Sequence, residues 1–156
     1  MDATRTPELG KLQEIVEFAI SREQEAIDFY TRLAARAKWE SMANELRNIA
    51  AMEVGHKQRL QNLDLARAAT TVNPRAVDLK IADYLVELEP SDNMTWQDIL
   101  SIAMKRELAS MRLYDDLSKI VSDSTARQLF ANLSAEESKH KLYFEGIWDK
   151  EILLEN

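Results

Sequence analysis

The chain has 156 residues, of which 46% are hydrophobic and 30% charged, a balance that suits one globular domain and excludes a disordered chain. A formal net charge of -7 argues against a nucleic-acid-binding protein, which normally presents a basic face. Because the chain has no cysteine, disulfides, zinc–thiolate sites and iron–sulfur clusters are excluded. The first residues lack the apolar core of a signal peptide, and no apolar run approaches the length of a membrane span, so we expect a soluble cytoplasmic protein.

Four long segments have the spacing of apolar residues that is typical of amphipathic helices. The first runs from about Pro7 to Lys38 and the second from about Glu40 to Leu65. The third begins near Thr95, where Thr95 and Asp98 resemble a capping box, and the fourth runs from near Ser124 to about Ile147. Short links predict that helices one and two lie antiparallel, and likewise helices three and four.

A longer connection, roughly residues 66–94, separates the two helix pairs. It contains the loop signals Asn73-Pro74 and residues 89–93, with a predicted short helix from Leu79 to Leu88 between them. About thirty residues can run along a helix of ~25 residues, which spans only ~38 Å. We therefore predict one all-α domain over residues 1–156, an antiparallel four-helix bundle with one long crossover between helices two and three.

The two helix pairs are related by an internal repeat. Shifting the sequence by 84 residues superposes it on itself without gaps, with twelve identities between positions 13 and 57. The polar identities include Glu23 with Glu107, Glu53 with Glu137, His56 with His140 and Tyr30 with Tyr114. Similar amphipathic helices explain matched Ile, Leu and Ala but not matched Glu and His. The repeat predicts two helix pairs, over about 7–65 and 95–147, that each supply half of one site.

Six polar residues interrupt the apolar faces of these helices. Glu53 and His56 occupy adjacent core positions of helix two, as Glu137 and His140 do in helix four, while Glu23 and Glu107 interrupt helices one and three. Burying such carboxylates is costly unless something compensates their charge. Arg22 and Arg106 lie about 100° round the helix and should be more peripheral.

Two divalent cations would neutralise four carboxylates. Helical bundle proteins with di-iron or di-manganese centres use this ligand set: one Glu from each of two helices and a Glu-x-x-His motif from each of the other two. We predict that Glu53 and Glu137 bridge two ions, with Glu23 and His56, and Glu107 and His140, as terminal ligands. Ligand type does not separate iron from manganese, so di-manganese or mixed Fe/Mn centres stay open.

Tyr30 and Tyr114 each lie seven residues after a predicted ligand, two turns along the same helix face. Three interpretations are open: packing in the core, hydrogen bonding to a ligand carboxylate, or a redox-active phenol beside the metals. The two tyrosines are therefore candidate site residues beside the six predicted ligands.

These motifs resemble those of the ferritin-like superfamily, and most closely the rubrerythrin di-iron domain. The resemblance rests on Glu23-x6-Tyr30, Glu53-x2-His56, Glu107-x6-Tyr114 and Glu137-x2-His140, with AIDFY at 26–30 and LSAEESKH at 133–140. It covers nearly the whole chain and implies a ferritin-like bundle with two iron ions that react with hydrogen peroxide or dioxygen.

The chain departs from rubrerythrins proper in two ways. It lacks the cysteines of their rubredoxin-type domain, so its electrons should come from a separate donor protein, and Ser110 stands where they carry an extra carboxylate. The remaining six-ligand set resembles the ferroxidase centre of bacterioferritin, but no haem is expected because Val54, not Met, follows Glu53. About ten residues follow the predicted fourth helix, too few for the fifth helix of ferritin cages, so a homodimer or small oligomer is expected.

Three functions remain in competition. The first is a di-iron oxidoreductase that reduces peroxide or dioxygen, and the second is a ferroxidase or iron-handling protein without a storage cage. The third is a structural bundle that binds no metal. Metal content and reactivity with peroxide and dioxygen distinguish them.

Overall fold

A computed structural model describes residues 7–70, 72, 78–86 and 94–155, the last five of them by their backbone alone. The elements in chain order are α1 (Pro7–Ala35), α2 (Glu40–Gln61), α3 (Leu65–Ala69), a 3-10 helix (Ile81–Tyr84), α4 (Trp96–Ile120) and α5 (Ser124–Glu155). Among the residues described, the only β-type pairing is an isolated antiparallel bridge between Val72 and Val121. The prediction of an all-α fold is confirmed.

The chain divides into two compact units. Unit 1 consists of Met1–Leu79 and Val121–Ala126, and unit 2 consists of Lys80–Ile120 and Arg127–Asn156. Unit 1 therefore holds α1 and α2, and unit 2 holds α4 and nearly all of α5. Each unit carries one of the two helix pairs that the sequence repeat predicted. The prediction of a single domain stays a prediction.

The two helices of unit 1 are antiparallel, because only residues 36–39 join them. Their facing sides carry a buried apolar core that includes Leu12, Ile15, Val16, Leu33, Leu46, Ile49 and Leu60. The Lys57 ammonium on α2 donates a 2.7 Å hydrogen bond to the Gln24 side chain on α1, which ties the pair together at mid-length. In the same unit Arg67 pairs with Asp123 at 3.0 Å.

The two long helices of unit 2 are also antiparallel. The Ser134 hydroxyl of α5 donates to the Met111 carbonyl of α4 at 3.1 Å, while His140, farther along α5, lies beside Glu107, which comes earlier in α4. The buried core of this unit includes Ile99, Leu100, Leu113, Leu117, Phe130, Leu133 and Phe144. The phenol of Tyr84, in the 3-10 helix, donates to Asp116 of α4 at 2.6 Å.

Several helix ends differ from the predicted ones. Helix one was predicted to reach Lys38 but ends at Ala35, and helix two was predicted to reach Leu65 but ends at Gln61. The second difference has a local cause, because the Asp64 side chain accepts a hydrogen bond from the Arg67 N–H and thereby caps α3 as a separate helix.

The connection and the last helix also differ in extent. The helix predicted for Leu79–Leu88 is a 3-10 helix over Ile81–Tyr84, and positions 87 and 88 lie outside the residues described. The fourth long helix was predicted to end near Ile147, but it continues to Glu155, so the residues after 147 extend it instead of trailing behind it. Within the described segments, no helix combines the length and hydropathy needed to cross a bilayer.

Candidate metal centre

The helix pair of unit 1 buries two carboxylates and one imidazole at the same level. Glu23 comes from α1 and Glu53 and His56 come from α2, and none of the three is more than 2% exposed. His56 Nδ1 lies 3.6 Å from Glu23 Oε1 and 3.5 Å from Glu53 Oε1. The three residues can each offer one ligand atom within 4.8 Å of the others.

The helix pair of unit 2 repeats this arrangement. Glu107 comes from α4, and Glu137 and His140 come from α5, with exposed fractions of 1%, 1% and 4%. His140 Nδ1 lies 3.6 Å from Glu107 Oε1, the same separation as between His56 and Glu23. These three residues also offer ligand atoms that all lie within 4.8 Å of one another.

The sequence places these groups by helical spacing. In each motif the histidine follows its glutamate by three residues, so both side chains lie on one face of the helix, one turn apart. Buried apolar residues precede and follow them on the same face: Leu46, Ile49 and Leu60 in α2, and Phe130, Leu133 and Phe144 in α5. The apolar residues determine which side of each helix is buried. The glutamate and histidine of each motif lie on that same side and are therefore buried too.

The distances between the histidine Nδ1 atoms and the carboxylate oxygens fit two ligands of one metal ion better than they fit hydrogen bonds. A protein hydrogen bond to nitrogen spans roughly 2.7–3.2 Å, which is shorter than the 3.5–3.6 Å between Nδ1 and the carboxylate oxygens. Two ligand atoms that each bind one ion at about 2.1 Å with tetrahedral angles are about 3.4 Å apart. Nitrogen and carboxylate oxygen donors suit iron, manganese and zinc. Each group can therefore hold a metal ion.

The family model described as Rubrerythrin matches the chain over residues 14–147, a range that includes both groups. The chain belongs to the rubrerythrin family. No curated protein and no solved structure matches it. Membership confirms the ferritin-like helical-bundle fold and the resemblance to the rubrerythrin-type domain, and the buried Glu/His groups fit a metal site.

The cations nearest in sequence to the unit 1 group of this rubrerythrin have other partners. Arg22 precedes Glu23, but its guanidinium pairs with Glu25 on the same helix at 2.8 Å and lies 5.0 Å from the centre of the Phe18 ring. Lys57 follows His56 and donates to Gln24. These contacts agree with the peripheral position predicted for Arg22. Because Arg22 and Lys57 contact other groups, bound metal ions would have to supply the positive charge beside the buried carboxylates.

The two candidate tyrosines of this rubrerythrin are buried core residues. Tyr30 and Tyr114 are each about 1% exposed, and the Tyr30 ring meets Phe29 edge to face with ring centres 5.3 Å apart. This burial fits packing, and the roles as hydrogen-bond donor to a ligand or redox-active phenol stay predictions. Ser110 lies one turn after Glu107 on α4 and is half-buried.

All six predicted ligands are buried, three together in each unit. Their assembly into one centre, with Glu53 and Glu137 as bridges, stays a prediction. The hydrogen bond between Lys57 and Gln24, beside the unit 1 group, was not predicted from the sequence. The repeat gives no signal for it, because Lys57 is matched by Lys141 but Gln24 is replaced by Leu108.

Proposed function

We propose that this rubrerythrin is a non-haem di-iron carboxylate oxidoreductase that reacts with hydrogen peroxide or dioxygen, using electrons from a separate donor protein. The observation that carries the proposal is the pair of buried Glu/Glu/His groups, one in each helix pair of a rubrerythrin-family chain. We expect the protein to act as a homodimer.

The ligand assignment follows from charge and spacing. Four carboxylates carry a charge of -4, which two divalent ions would cancel. The bound ions would therefore offset the free-energy cost of burying the carboxylates in an apolar core. In this proposal Glu53 and Glu137 would be shared by the two ions, Glu23 and His56 would hold one of them, and Glu107 and His140 would hold the other. Two bound Fe(II) ions would supply the two electrons needed to cleave an O–O bond.

The protein's own residues have three tasks in this proposal. The apolar side chains around the ligands exclude bulk water, which protects the reactive centre from side reactions. The imidazoles present Nδ1 toward the carboxylates and so set the direction from which a metal is bound. Tyr30 and Tyr114 would donate hydrogen bonds to ligand carboxylates and hold their orientation.

A second candidate function is favoured by Ser110. Without the additional carboxylate of rubrerythrins proper, the six ligands form a symmetric set that resembles a bacterioferritin ferroxidase centre. In that case iron is the substrate: it would be bound as Fe(II), oxidised by dioxygen or peroxide, which accepts the electrons, and released as Fe(III). The two functions differ in whether iron stays in the protein after one turnover.

Anaerobic titration with Fe(II), followed by stopped-flow mixing with either peroxide or dioxygen, tests the proposal. We expect binding to saturate at about two ions per chain and oxidation to be at least about tenfold faster with peroxide than with dioxygen at equal concentration. Added reductant should restore the Fe(II) form without loss of iron. The measurements are the optical absorbance of the oxidised centre and the iron content after desalting.

Two outcomes contradict the oxidoreductase, and a third decides between its two oxidants. Oxidation of many Fe(II) equivalents per chain with release of Fe(III) would establish the ferroxidase. Failure to bind either Fe(II) or Mn(II) would establish a bundle that functions without metal. Peroxide oxidation no faster than oxidation by dioxygen would exclude peroxide as the preferred oxidant.

A further inference from the structure

A cavity of about 380 Å³ lies in unit 2, between α4 and the segment that contains the 3-10 helix. Seven residues line it: Asp83, Leu85, Val86, Lys105, Leu108, Ala109 and Arg112. Its volume lies within the range of roughly 300–1,000 Å³ that small-molecule pockets occupy. None of the residues that line it belongs to the proposed metal centre, so the cavity has no role in the function described above.

The floor of the cavity is apolar and faces solvent. Leu108 and Ala109 contribute to it from α4, and Leu85 and Val86 contribute from the residues that follow the 3-10 helix. Leu85 is 48% exposed and Leu108 is 37% exposed, so a ligand that covers them removes apolar surface from water. Four of the seven lining residues are apolar, which favours an organic ligand over a bare inorganic anion.

Two cations flank this apolar floor. Lys105 and Arg112 are seven residues apart on α4, or about 10.5 Å along the axis, and Leu108 and Ala109 lie between them on the same face. Among the residues described, neither Lys105 nor Arg112 forms an ion pair, whereas Lys119 farther along the helix pairs with Asp115 at 2.9 Å. Both side chains line the cavity without an ion pair to a described residue, and the Arg112 charge also acts on the neighbouring Tyr84 phenol.

Two carboxylates lie at this edge, and only one of them lines the cavity. Asp116 accepts the hydrogen bond from Tyr84 at 2.6 Å and does not line the cavity. Asp83 does line it and offsets one cation, so the lining carries a net charge of +1, two cations less one carboxylate. A ligand with a single negative charge would neutralise it.

We propose that this cavity binds a small amphipathic monocarboxylate, with its apolar body on Leu108 and Leu85 and its carboxylate between Lys105 and Arg112. The guanidinium of Arg112 can donate two parallel hydrogen bonds to a carboxylate, and Lys105 supplies a second positive charge. The site lies on the outer face of the helix that also carries Glu107.

Titration of the full-length ¹⁵N-labelled protein with hexanoate, followed by NMR, tests the proposal. Acetate, which has the charged group alone, and 1-hexanol, which has the apolar body alone, are matched probes. We expect saturable shifts of the amides around positions 83–86 and 105–112, with hexanoate bound about tenfold or more tightly than either control. Shifts that are absent or spread over the whole chain, or hexanol bound as tightly as hexanoate, would overturn the proposal.

Two variants separate the roles of charge and apolar surface. The double variant Lys105→Gln with Arg112→Gln should weaken hexanoate binding about tenfold or more and leave 1-hexanol binding unchanged. The control variant Arg32→Gln with Arg36→Gln removes two exposed charges, one in the last turn of α1 and one just after it, and should change the binding of neither probe. Leu108→Gln replaces a side chain that is already partly exposed, so folding should be retained while hexanoate binding weakens. Unchanged hexanoate affinity in both cavity variants, with native circular dichroism, would refute the site.

Discussion

Tyr84 has a strong hydrogen bond outside the candidate metal centre. Its ring is buried and its hydroxyl donates to Asp116 at 2.6 Å. Burial disfavours the phenolate, and the hydrogen bond to the Asp116 carboxylate adds to this effect, so the pKa of Tyr84 is raised above its ordinary value of 10.0. The neutral phenol is thus the form that the folded chain favours.

We predict that Tyr84→Phe lowers the free energy of unfolding by about 1 kcal/mol near neutral pH, because one hydrogen bond to a partly solvated carboxylate is lost. The folded pKa is raised, so this contribution is fully present below the unfolded pKa and is lost as pH rises toward the folded pKa. Urea unfolding at about pH 8 and about pH 11 should show a smaller loss of stability in the variant than in the parent. If both proteins lost the same free energy of unfolding between these pH values, the raised pKa of Tyr84 would be contradicted.

The six candidate ligands could be predicted at the residue scale because each interrupts an apolar stripe, and the stripe fixes the buried side of its helix. The hydrogen bond from Lys57 to Gln24 could not be predicted in this way. It depends on how far α1 and α2 are rotated about their axes, which spacing along one helix does not determine.

Helix ends are decided by a few local side chains. At the start of α4 the Asp98 N–H donates to the Thr95 hydroxyl at 3.1 Å, and the Thr95 N–H donates to the Asp98 carboxylate at 3.2 Å. This reciprocal pair is the capping box that the sequence predicted, with Asp in the place of the usual Glu. At α5 the Asp123 carboxylate accepts from the Ala126 N–H at 3.0 Å.

Thr95→Ala should lower the free energy of unfolding by about 1 kcal/mol, since an N–H at the start of α4 loses its side-chain acceptor. Thr125→Ala is a matched control on α5, because Thr125 is exposed and makes no such contact, and it should change stability by less than ~0.5 kcal/mol. Chemical denaturation of both variants provides the measurement. A similar loss in both would show that the Thr95 cap contributes nothing specific.

The limits of prediction at this scale have a physical cause. Leu63 continues the apolar spacing of helix two, so periodicity alone extends that helix past its true end at Gln61. What stops it is the competing cap on α3, in which Asp64 accepts from the Arg67 N–H. Asp98, by contrast, follows Thr95 at the spacing a capping box requires, so the start of α4 could be predicted from two residues.

For the whole molecule, the burial of six polar side chains allows metal binding to be tested through the stability of the folded protein. Every one of the four carboxylates is at most 2% exposed, and the two imidazoles at most 4%. An ion that binds only the folded protein must stabilise it by mass action, by about 2.7 kcal/mol per site at a hundredfold excess over Kd. The melting temperature therefore reports on occupancy without any assay of reaction.

We predict that Fe(II) added without oxygen, or Mn(II), raises the melting temperature by on the order of 5 °C or more, and that a chelator reverses the shift. Glu53→Gln removes one buried negative charge, so it should stabilise the metal-free protein and reduce the shift caused by metal. Glu45→Gln on the exposed side of α2 is the matched control and should leave both quantities unchanged. Differential scanning calorimetry measures the shifts, and identical behaviour of the two variants would contradict a role for Glu53 as a ligand.

The two helix pairs related by the repeat differ in the contacts that matched positions make away from the ligand residues. Position 24 holds a glutamine that accepts from Lys57 and fastens α1 to α2, whereas its counterpart 84 residues later is Leu108, part of an open hollow. The lysine matched to Lys57, Lys141, bonds instead to Glu145 on its own helix at 2.5 Å. Thus the two helix pairs bury the same kinds of ligand residues but differ at matched outer positions, where one pair has a hydrogen bond between its helices and the other has an accessible cavity.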